Sequence, residues 1–182
     1  MEDLHTLRHG FVAFLDGLWW GLRDTTGALS MHDGYSRGFK QIGREAAKKT
    51  GGSGPEAAAR IAASFLMSIG QDVELREKDI VVKSCPLWDR ILERGLEYAF
   101  HVEEICWRPL LEGIGELTGS EPIIDNSLRL AHVSKSKIEY KKGKAKKYLD
   151  AGTISEEEYE AQVEALEKSL KSVSEYGHYR FQ

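Results

Sequence analysis

Apolar residues recur at three- and four-residue steps through Leu4, Leu7, Phe11, Phe14, Leu15, Leu18 and Leu22, which predicts an amphipathic helix over residues 4–23. Trp19 and Trp20 widen its apolar face. The next stretch, DTTGALSMHDG at 24–34, is polar and punctuated by glycine, so a loop is expected there before a second helix near 35–49. The run Gly51-Gly52-Ser53-Gly54 closes that helix, and Pro55 starts a third, because a proline's missing N–H costs nothing in a first helical turn. The glycine run follows a helical pattern and not a strand. It therefore reads as a linker and not as a phosphate cradle.

The period then changes to two. DVELREKDIVVKS alternates apolar and polar residues around Glu77-Lys78-Asp79 and predicts an antiparallel hairpin whose second strand runs into Cys85. Helices are expected at about 86–101 and 107–118, started by Pro86 and Pro109; the alternative is one helix through 99–118 kinked at Pro109. IIDNSLRLAHVSKSKIEYKK resumes the alternation and predicts a second hairpin turning near Ser134. Beyond it, Gly152-Thr153-Ile154-Ser155 reads as a turn into a capped helix, with Ser155 and Glu158 as a capping box and Tyr159, Val163, Leu166 and Leu170 as its apolar stripe. The expected fold class is α+β, with helices packed on an antiparallel sheet over residues 1–142 (1–33 being the N-terminal helix and loop) and a helical hairpin over 143–182.

A length of 182 residues, 41% hydrophobic and 30% charged, suffices for one buried core with an appendage. The net charge of −4 gives no global pull toward nucleic acid, and the lysines at 135–147 read as a solvated face. No apolar run is long enough for a membrane span, and the start MEDLHTLRH lacks the order of a signal peptide, so a cytoplasmic location is expected. In a reducing compartment two cysteines point to thiol chemistry, metal binding or plain burial before a disulfide.

Both cysteines precede a proline that can start a helix, and a helix N-terminus stabilises a thiolate. On that reading Cys85 and Cys106 are soft ligands for zinc or iron, with His132 and either His101 or Glu104 completing the set. The opposing reading makes the cysteines small buried hydrophobes and His132 a satisfied core residue. Phe65, Leu66, Trp88, Trp107 and Leu110 are the expected walls of an apolar ligand site. His5 and His9, one helical turn apart, read as a surface pair.

Gly34-Tyr35-x-x-Gly38, the strand IVVKSC, the Cys106 segment with Leu111-Glu112-Gly113-Ile114 and the closing KIEYKK together resemble the 4-vinyl reductase domain, a relative of the haem-nitric-oxide-binding and TRAPP-type ligand-binding folds. The resemblance covers about 34–142 and implies a sensor or carrier of a hydrophobic or tetrapyrrole-like molecule, with a metal held through a cysteine at the Cys106 position. This chain has no cysteine in LRLAHVSKSKIEY, where the family places further ligands. The turn Gly152–Tyr159 is similar to short C-terminal helical (SHOCT-type) modules that serve oligomerisation. Three functional classes follow: a small-molecule binding module; a hydrolase similar to aminothiazoline-carboxylate hydrolases, with Cys106 as nucleophile; and a dimeric adaptor. A homodimer is expected, since the Trp19/Trp20 face and the 159–170 stripe need cover.

Overall fold

In a computed structural model, which describes residues 2–182, the first apolar pattern forms α1 (Glu2–Thr26) and is followed almost at once by α2 (Ala28–Thr50). The expected loop at 24–34 shrinks to Gly27, whose φ of 82° breaks the helix in one step. Its polar residues are the outer face of α2, where Asp33 pairs with Arg37 one turn on, while Met31 is buried beneath them. Helix α3 (Pro55–Ser68) starts at Pro55 as expected and buries Ala58, Ala59, Ala62, Ala63 and Leu66 completely.

Strands β1 (Asp72–Arg76) and β2 (Asp79–Ser84) form the expected hairpin, with Glu77 at φ 53° in its turn. Helix α4 (Pro86–Glu93) is shorter than expected, because Gly95 turns the chain away at φ 66°. The helix bearing Cys106 is continuous: a π-helical turn, Glu103–Trp107, runs directly into α5 (Arg108–Thr118). Pro109 explains the wide turn, since it has no N–H to give and its ring crowds the carbonyl four residues back; the chain opens to an i→i+5 bond from Arg108 N–H to the Glu103 carbonyl.

The second hairpin does not form. Only β3 (Pro122–Asn126) is a strand, and Leu128–Asp150 is a single helix, α6, that includes KIEYKK. No glycine or proline between 123 and 142 breaks the run, and its lysines and alanine favour helix. After α7 (Glu156–Lys171) comes an unexpected strand, β4 (Gly177–Phe181). It lies between β2 and β3, giving an antiparallel sheet of order β1-β2-β4-β3 in which Tyr179 faces Ile80 on one side and Ile124 on the other.

The chain divides into two compact units. One runs through Arg129 and takes back Tyr176–Gln182; the other is Leu130–Glu175. In the first, α3 packs on the sheet and α2 crosses α5, where Gly43 meets the Leu110 carbonyl and Gly113 meets the Lys40 carbonyl; neither has room for a Cβ. The second holds most of α6 and all of α7, with Lys142 pairing Glu167 at 3.6 Å and the Ser155–Glu158 capping box in place. Among the described residues no helix is long and apolar enough to cross a membrane.

Candidate functional site

The π-turn decides the fate of the cysteines. Cys106 sits inside a helix and is fully buried, and Cys85, at the end of β2, is 2% exposed. Burial pushes the Cys85 thiol up to about 12 and the Cys106 thiol well above its ordinary value, with Cys85 and Glu103 adding to the rise at Cys106. Desolvation outweighs the helix-end field. Two neutral thiols in an apolar core are poor nucleophiles, and no substrate reaches a side chain with no exposed surface.

The expected metal ligands are dispersed. His101 Nε2 lies 2.9 Å from the Arg129 guanidinium and 3.2 Å from the Tyr98 carbonyl. Glu104 is half exposed and clasped by Arg108 at 2.9 and 3.3 Å. His132 belongs to the other unit, on α6, where its ring is 3.4 Å from the Ser136 hydroxyl. Among the described residues no group of three or more His, Cys, Asp or Glu side chains could hold a metal ion. The expected zinc or iron, and the tetrapyrrole or other apolar cofactor set on it, do not stand.

The expected ligand walls are core. Leu66, Leu110, Trp88 and Trp107 are buried, with Trp107 edge-on to Phe39 at 5.6 Å, and Phe65 packs against the same cluster. Trp19 is also taken up within the chain, 4.3 Å from Phe100 and 5.8 Å from Tyr35, whose hydroxyl donates to the Leu15 carbonyl.

A cleft that the sequence did not reveal lies between α1 and α4, with a volume of about 560 Å³. His5, Arg8 and His9 form a basic wall on α1, the two imidazoles 4.6 Å apart; Asp89 and Glu93 form an acidic wall on α4, with Arg90 between them. Val12, Ala13, Gly70 and Pro86 complete the lining. The walls are held from behind. Asp16, nearly buried, takes Arg90 at 3.2 Å and Arg94 at 2.6 Å, while Arg8 donates to the Met67 and Ser68 carbonyls at the end of α3. Burial, with Glu93 nearby, raises the Asp89 carboxyl above its ordinary value. Beside Gly70, Gln71 is 4% exposed and neither polar atom of its side-chain amide has a hydrogen-bond partner among the described residues. The i, i+4 pair His5/His9 and the i, i+4 pair Asp89/Glu93 were the signals in the sequence, but nothing in it said that α1 and α4 are neighbours.

No family model, no curated protein and no solved structure matches the chain.

Proposed function

We propose that the chain is a small-molecule binding module whose ligand is a compact zwitterion, a molecule carrying a carboxylate and an amine, held in the α1–α4 cleft. The observation that carries this reading is the basic wall facing an acidic wall across one cleft with apolar lining. A carboxylate fits His5, His9 and the charge of Arg8, whose Nε and Nη2 already donate to the Ser68 and Met67 carbonyls; an ammonium fits Asp89, since Glu93 is paired with Arg90 at 3.0 Å; and a short apolar body fits Val12 and Pro86. The 4-vinyl reductase resemblance over about 34–142 is kept as a proposal, in keeping with a ligand-binding role. The unpaired buried thiols fit a reducing, cytoplasmic setting.

A thermal-shift screen of free amino acids and dipeptides tests the reading. At least one is expected to raise Tm in a saturable way, and His9→Ala and Asp89→Asn are each expected to weaken it tenfold or more. A screen with no saturable shift, together with a bare mass by native mass spectrometry, would overturn it. A homodimer is also proposed.

A further inference from the structure

Helix α1 carries two apolar faces, one buried by the fold and one only partly covered, at Phe11 and Leu18. Val12 and Trp19 turn inward and are buried, with Leu15 partly covered. The second face follows a heptad, with Leu4, Phe11 and Leu18 at one position and Leu7, Phe14 and Gly21 at the other. Leu4 is 49%, Leu7 70% and Phe14 63% exposed, and the heptad's flank is Gly10 and Gly17. Among the described residues none of Gly10, Gly17 or Gly21 has a neighbour that a Cβ would meet, so no contact there accounts for three helix-weakening residues on one side of one helix. Along this side runs an open groove of about 710 Å³, lined by Leu7, Gly10, Phe11 and Phe14, with Asp3, Thr6 and Arg8 also in its wall, and by Ser68 and Ile69.

We infer that this face pairs with the same face of a second copy of the chain, the two α1 helices running antiparallel about a twofold axis. Three considerations favour that occupant. Antiparallel heptads stack unlike positions, so Leu7 meets the partner's Leu18, Phe11 meets the partner's Phe14, and Gly21 is filled by the partner's Leu4; a parallel pair would set Gly21 against Gly21 and leave a hole. Each contact recurs by symmetry, which makes the face self-complementary, and antiparallel helix dipoles attract. The glycine flank lets the backbones approach closely. The area is adequate: five half-covered to exposed apolar side chains and open glycine backbone bury on the order of 500 Å² per partner, about 1,000 Å² in total, the lower bound for a specific interface.

The pairing face and the α1–α4 cleft share only Arg8, so a substitution at Phe14 tests the pairing without touching the cleft. Light scattering of the full chain from 1 to 100 μM is expected to show a monomer–dimer equilibrium, and Phe14→Glu is expected to weaken it at least tenfold with an unchanged circular dichroism spectrum. For the register, a mixture of Leu7→Cys and Leu18→Cys chains is expected to form an oxidised heterodimer, while Leu7→Cys alone does not link to itself. A monomer throughout that range would overturn the proposal, as would self-linking of Leu7→Cys. Monomeric protein that cosediments with anionic lipid vesicles, and loses this in Phe14→Glu, would overturn it in favour of a membrane surface as the occupant.

Discussion

Glycines do opposite things in two parts of the first unit. Where α2 crosses α5, Gly43 and Gly113 each lie against a carbonyl of the other helix, and the missing Cβ is what allows the backbones to touch. On the outer side of α1, Gly10, Gly17 and Gly21 face open space. A glycine in a helix is therefore not informative by its type. What decides its meaning is whether another backbone already occupies the place of the absent methyl, and where none does, the cost in helix stability asks for a partner.

The largest expected effect comes from closing the first kind of space. Gly113→Ala or Gly43→Ala must force α2 from α5, with a loss on the order of 3 kcal/mol or more in a denaturant melt. A loss below about 1 kcal/mol would erase the contrast between the two regions. Next comes a place where the interior is imperfect: Gln71→Leu removes a buried amide with no partner among the described residues and is expected to gain about 1–3 kcal/mol. On the open side, Gly17→Ala is expected to stabilise the chain by about 1 kcal/mol when measured at submicromolar concentration, where it is monomeric, and to weaken association at high concentration. A gain at both concentrations would mean that nothing approaches this face.

The smallest effect concerns pH. Glu103 is 5% exposed, and burial raises its carboxyl above the ordinary 4.5 in spite of hydrogen bonds from Ser127 and the Arg129 N–H. The folded chain then binds this proton more tightly than the unfolded one. Its contribution is full below 4.5 and is lost as pH rises through the raised value. Melts from pH 4.5 to 7 are expected to show that decline in the wild type and a flatter profile in Glu103→Gln; equal slopes would show that Glu103 is not the group responsible.

The elements that could be read from the sequence are those whose signal is local. Pro55 after a glycine run, the Glu77-Lys78 turn between alternating strands, and the Ser155–Glu158 box each specify their own geometry, and each is where it was expected. Residues 128–142 were misread because Leu128, Leu130 and His132 also share a period of two; with no glycine or proline to turn at, helix propensity wins. Strand β4 did have a pattern, with Gly177, Tyr179 and Phe181 all inward, but five residues after a helical tail are easily taken for part of it. The site was less legible than the fold. The cysteines' chemistry turned on whether Pro109 starts a helix or follows a π-turn, and the cleft depends on two helices more than seventy residues apart in the chain coming together, which spacing alone does not encode.

The position of β4 also sets a schedule for synthesis. A ribosome makes β1, β2 and β3 and then some fifty residues of other structure before the strand that joins β2 to β3 emerges. Throughout that interval two unpaired strand edges are exposed to whatever else is nearby, so the nascent chain passes through a stage prone to aggregation that the finished protein does not share. A tag or truncation that disturbs Gly177–Phe181 should lower soluble yield well before it alters any binding property.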